Sequence, residues 1–103
     1  MEIIKTKEEF TQLLKDNEKV FVDFYADWCG PCKMLAPVVE GLAKKNEDVT
    51  FVKVNVDDNS EIASQYGIMS IPALFAFKNG EVAGSTVGFQ PEDALQAVID
   101  KLK

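Results

Sequence analysis

Val20-Phe21-Val22-Asp23-Phe24-Tyr25-Ala26 is the segment that most limits the fold, an apolar, β-favouring run interrupted by a single acid. A strand wetted on one face alternates apolar and polar residues. This one does not, so it is expected in the centre of a sheet covered on both faces. It runs directly into Trp28-Cys29-Gly30-Pro31-Cys32, which holds both cysteines of the chain. Two thiols at i and i+3 become neighbours when the segment turns into a helix at the first of them, so they can close and reopen a small disulfide ring. Such a ring braces almost nothing, because the chain-entropy gain grows with loop length, and its use is therefore exchange. A tetrahedral zinc site needs about four ligands. The chain has no histidine and no third cysteine, so no metal is expected, and exchange between thiols and disulfides is expected to run without a bound organic cofactor.

The remaining elements follow from periodicity and punctuation. Thr6 and Glu9 fit a capping box, and Phe10, Leu13 and Leu14 give a helical face over about 7–16. Leu35, Val38, Val39 and Leu42 recur at helical spacing, which puts Cys32 in the first turn of a helix reaching about Lys45 and kinked at Pro37. Thr50 to Val56 alternates, with Val52, Val54 and Val56 on one side and Lys53 on the other. Asp58 with Glu61 offers a second capping box and Gly67 a stop, for a short helix over 60–66 whose Ile62 and Tyr66 are core. Ala73 to Phe77, the turn Asn79-Gly80 and Glu81 to Val87 predict a hairpin. Pro91-Glu92-Asp93 opens a last helix, with Leu95, Val98, Ile99 and Leu102 buried. The order is β-α-β-α-β-α-β-β-α, an α/β fold with a mixed sheet and helices on both faces. Such sheets bind ligands at the carboxyl ends of their strands, and Cys29 lies at one of these ends.

With 103 residues the chain suffices for one domain, 1–103, and not two. Its 47% apolar and 27% charged residues suit an ordinary globular protein, with no apolar stretch of membrane-spanning length. The N-terminal Met1-Glu2-Ile3-Ile4-Lys5-Thr6 lacks a signal-peptide pattern, so a reducing cytoplasm is the expected location. A net charge of −6, from 17 acids against 11 lysines and no arginine, argues against nucleic acid and against a phosphate-binding fork.

Cys29, at a helix N-terminus, meets unsatisfied N–H groups and the positive end of the helix dipole, and both favour a thiolate nucleophile. Cys32, one turn inside, is expected to be less exposed and to resolve the mixed disulfide. Gly30 and Pro31 place no positive charge between the thiols, which favours a reductase over an oxidase. Asp23, a carboxylate within an apolar strand, must be hydrogen-bonded, paired or protonated. Two roles are open to it: a structural ion pair with Lys53, or proton acceptor for Cys32 with its pKa raised by burial. Trp28, Gly30 and Pro31 suit a recognition surface. Ile71-Pro72 reads as a turn before a strand, and Phe24, Tyr25 and Phe77 as core.

Taken together, residues 22–33 with Pro37, Lys53-Val54-Asn55-Val56-Asp57, Gly67-Ile68, Ser70-Ile71-Pro72, Phe77-Lys78-Asn79-Gly80 and Gly88 resemble the thioredoxin family over essentially the full length. The resemblance implies a five-stranded mixed sheet flanked by four helices. It implies a monomeric protein-disulfide reductase acting on disulfide-containing proteins, with a thioredoxin reductase as electron donor. It favours Asp23 as the proton acceptor, tuned by Lys53 and relayed by water. It makes the Ile71-Pro72 bond cis and sets it against the cysteines, where the Ile71 backbone would pair with an extended substrate. Val56, Ser70 and Gly88 complete that groove by resemblance alone. One departure is visible: the family usually has threonine after this proline, where Ala73 stands here, a change that bears on packing and substrate preference rather than on the reaction.

Overall fold

In the computed structural model, which describes residues 1–103, the chain runs β1 (Glu2–Ile4), α1 (Lys7–Asp16), β2 (Lys19–Tyr25), α2 (Gly30–Lys45), β3 (Thr50–Asn55), α3 (Ser60–Gln65), β4 (Ala73–Lys78), β5 (Glu81–Val87) and α4 (Glu92–Asp100). The order is the one expected from the sequence, and the structure adds the bounds of β1. The sheet is ordered β1-β3-β2-β4-β5, parallel across β1, β3 and β2 and antiparallel across β2, β4 and β5. The apolar run thus forms the central strand. Its alternate residues feed two cores. Val20, Val22 and Phe24 join Ile4, Phe10, Val52, Val54, Ile62 and Phe77 on the face covered by α1 and α3. Phe21 joins Leu35, Val39, Leu42, Leu95 and Ile99 on the face covered by α2 and α4. Asp23 is two residues beyond Phe21, so it faces α2, and its register partner is Lys53 of β3.

Local signals explain most boundaries. Thr6 Oγ1 accepts the Glu9 N–H at 3.1 Å, while the Glu9 carboxylate reaches back to the Lys5 N–H rather than to that of Thr6. Asn79 and Gly80 both have positive φ, 52° and 83°, as a two-residue hairpin of the mirror-image type requires. Helix α2 continues through Pro37, whose missing N–H deprives the Lys33 carbonyl of its helical donor. The second capping box does not form. Asn55 Oδ1 accepts the N–H groups of Asp57 and Asp58, and this turn moves the cap of α3 to Asn59. The Asn59 amide then donates to the Asn55 and Ile4 carbonyls, so α3 starts without a side-chain cap. No helix is long and apolar enough to cross a membrane.

Candidate active site

The carboxyl ends of β2, β3 and β5 and the amino end of β4 meet at one end of the sheet. The chain leaves β2 at Tyr25, turns, and enters α2 with Cys29 as N-cap and Pro31 in the first turn, where its lack of N–H costs no helical bond. Cys29 and Cys32 form a disulfide with Cα atoms 5.3 Å apart. The Cys29 sulfur accepts the Cys32 N–H at 3.2 Å, so one free donor of the first turn points at the sulfur expected to become thiolate. The expected difference in exposure between the two cysteines is absent. Cys29 is 3% and Cys32 5% exposed, because the ring tucks both sulfurs against Ala26, Tyr25, Val56 and Ile71. What separates the two is surroundings: Cys29 caps the helix, whereas Cys32 lines a cavity of about 140 Å³ with Asp23, Tyr25, Asp27, Lys33 and Lys53.

Asp23 sits in that cavity at 2% exposure, and its Oδ1 has no hydrogen-bond partner in the protein. Burial raises its pKa from 3.8 to about 6, against the opposing pull of the Lys53 ammonium. The structural ion pair does not form. Lys53 is the direct register neighbour of Asp23, yet its ammonium lies over the Tyr25 ring, 4.4 Å from the centroid, and the salt bridges of the molecule all lie elsewhere. Tyr25, read from the sequence as core, is half-buried and borders the site. An apolar run offers no signal for this, since a tyrosine at a strand end looks the same in either role.

Ile71-Pro72 is a cis peptide bond, and Ile71 packs against the cysteine cluster. Gly88 has φ +86° and donates its N–H to the Pro72 carbonyl at 2.7 Å, tying the end of β5 to this loop. Val56 follows β3 and extends the parallel ladder by donating to the Tyr25 carbonyl at 2.8 Å. Val56 is half-buried against the cysteines and Ser70 is exposed beside Ile71. Trp28 is 71% exposed, its indole N–H held by Asp57 at 2.9 Å. A Cβ at Gly30 would meet nothing within 4 Å, so this position opens to approaching chains. Asp57, and the exposed Met69, Val87 and Phe89 adjoining Ser70 and Gly88, also border the site without a role expected from the sequence. Apolar residues directly beside Ser70 and Gly88 are the signal the sequence offers; their exposure emerges only in the fold. The largest open cavity, about 500 Å³, lies at the opposite end of β2 among Phe10, Tyr66 and Asn79, and neither cysteine lines it.

Comparison with known proteins agrees with this geometry. The family model described as Thioredoxin matches residues 2–101. The thioredoxin of Mycoplasmoides gallisepticum is 48% identical over 99 residues, covering 96% of this chain and 99% of that protein. The thioredoxin of Bacillus subtilis is 45% identical over 102 residues, covering 98% of each. Among solved structures, Fasciola hepatica thioredoxin superposes with a TM-score of 0.94 at 36% identity, covering 100% of both chains. A Plasmodium falciparum thioredoxin gives 0.93 at 38% identity, covering 98% of both.

Proposed function

The chain belongs to the thioredoxin family, and from that membership we propose how its residues divide the work of thiol–disulfide exchange. The reaction class is protein-disulfide reduction at Trp28-Cys29-Gly30-Pro31-Cys32. In the reduced protein the Cys29 thiolate attacks a substrate disulfide, forming a mixed disulfide and releasing one substrate thiolate. Cys32 gives its proton towards Asp23, and its sulfur then attacks the Cys29 sulfur. That second step releases the other substrate thiolate and leaves the Cys29–Cys32 disulfide. Two electrons have passed to the substrate, and a reductase returns two.

The observation that carries this division is the asymmetry of surroundings: Cys29 at the helix N-terminus, Cys32 on the Asp23 cavity. A carboxyl titrating near 6 can accept a proton around neutrality, and about 140 Å³ leaves room for a water to bridge the two groups. Gly30 and Pro31 keep positive charge away from the thiolate, and Lys53 offsets part of the burial cost of Asp23. Trp28, Val56, Ser70, Ile71, Pro72 and Gly88 form the substrate groove, with the Ile71 backbone pairing to an extended segment. The substrates are disulfide-containing proteins and the donor is a thioredoxin reductase. We read residues 1–103 as one monomeric domain of the reducing cytoplasm, without metal, cofactor, nucleic acid or membrane as partner.

A reductase-coupled insulin-reduction assay tests the reading. Turnover that depends on both cysteines supports it. A reduction potential at the oxidising end of the thiol range would instead make the protein an oxidase.

A further inference from the structure

Asp23 and Tyr25 lie two residues apart on β2, so their side chains leave the same face of the sheet, and Lys53 stands beside Asp23 in the register of β3. A buried carboxylate ordinarily draws a neighbouring ammonium into contact. Here the ammonium is instead at the Tyr25 ring, 4.4 Å from its centroid and well within the range of cation–π attraction. We propose that Tyr25 is a positioning residue, its ring face anchoring the Lys53 ammonium at the edge of the cavity shared by Asp23 and Cys32.

A strongly hydrated ammonium on a flexible four-carbon stem moves to water unless something holds it. The negative face of the ring holds it without occupying either oxygen of Asp23. The carboxyl therefore feels a positive charge that favours its ionised form, while both oxygens stay free to take a proton. The other charged or titratable groups on this cavity are Asp27 after β2, and Cys32 and Lys33 of α2. The Tyr25 phenol is itself held above its ordinary value, first by burial and then by the Asp27 carboxylate, so the ring stays neutral while Asp23 titrates. The catalytic meaning of the anchor rests on Asp23 accepting the Cys32 proton, whereas the anchor itself does not.

The test is the Asp23 titration, followed by carboxyl ¹³C NMR in the oxidised protein. Tyr25→Leu and Lys53→Met are each expected to raise the midpoint by about half a pH unit or more, and Tyr25→Phe to leave it in place. In the Lys53→Met background, Tyr25→Leu should add nothing. An equal Tyr25→Leu shift with and without Lys53 would show that the ring merely covers the carboxyl, and would overturn the proposal. A midpoint that falls in Tyr25→Leu would overturn it too, since the lysine would then be collapsing onto Asp23. In the unsubstituted protein the Lys53 ε-methylene protons are expected upfield, in the shielding region of the ring; random-coil positions would refute the anchor without any variant. Asp23→Asn turnover measured against pH reports separately on proton acceptance. An unchanged profile there would remove the catalytic role and leave the anchor standing.

Discussion

The indole N–H of Trp28 donates to the Asp57 carboxylate at 2.9 Å while most of the ring remains in solvent. Asp57 thereby fixes the orientation of an apolar surface that would otherwise sample several rotamers. Asp57→Ala is expected to raise KM for a protein disulfide by up to about fivefold, the scale of one hydrogen bond. Small disulfides, which need less of the surface, should be affected less. Trp28 is the only tryptophan, so its fluorescence anisotropy reads the change directly. An unchanged anisotropy would mean that Asp57 does not orient the ring.

Cys29→Ser is expected to abolish disulfide reduction, whereas Cys32→Ser should still attack and then stall as a mixed disulfide. Non-reducing gels and mass spectrometry identify the trapped species. Covalent capture by Cys29→Ser and not by Cys32→Ser would reverse the nucleophile and the resolver.

Asp23 makes stability depend on pH. With the native pKa raised from 3.8 to about 6, the native state binds more protons than the unfolded chain between those values. Stability is therefore highest below pH 4 as far as this group is concerned, and falls as pH rises through 6. By pH 7 the ionised, buried carboxylate costs about 2–3 kcal/mol. Asp23→Asn keeps the shape and loses the charge, so its stability relative to the parent should climb by that amount between pH 4 and 7. Urea midpoints of the oxidised proteins across this range measure it. A constant difference would place the Asp23 pKa near its unfolded value.

Two glycines of the site should respond oppositely to alanine. A Cβ at Gly30 meets nothing and the residue opens α2, so Gly30→Ala should keep or slightly raise stability while slowing turnover of bulky protein substrates. Gly88 has φ +86° and holds the Pro72 carbonyl, so Gly88→Ala should cost about 1–2 kcal/mol. Denaturation midpoints with insulin-reduction kinetics separate the two. A destabilised Gly30→Ala, or a neutral Gly88→Ala, would contradict the backbone argument.

Pro31→His would place a cationic group beside the Cys29 sulfur, stabilising the thiolate and hence the reduced form. The potential should rise by about 30 mV for each tenfold change in the exchange equilibrium with glutathione. A lower potential would exclude this electrostatic account of the Gly-Pro pair.

Much of this molecule is local and so legible in the chain. The apolar run at 20–26, with Asp23 its one acid, implies a strand covered twice, Asn79-Gly80 implies a hairpin, and Cys29 before an apolar helical stripe implies an N-cap thiol. Each depends on the φ, ψ preferences and periodicity of a few adjacent residues, which composition and spacing encode directly. The failed cap at Asp58 marks the boundary of that reasoning, because the deciding acceptor was Asn55, three residues upstream in a turn.

Only the tertiary structure decided what surrounds Asp23. Its register with Lys53 depends on how β2 and β3 pair, and the place of the ammonium depends on Tyr25. Likewise, the hydrogen bond from Trp28 to Asp57 and that from Gly88 to Pro72 join residues far apart in the chain. A sequence states which groups carry charge or can donate. Which of them meet depends on long-range packing, and the same lysine, two strands away or one rotamer over, would give Asp23 a different proton affinity.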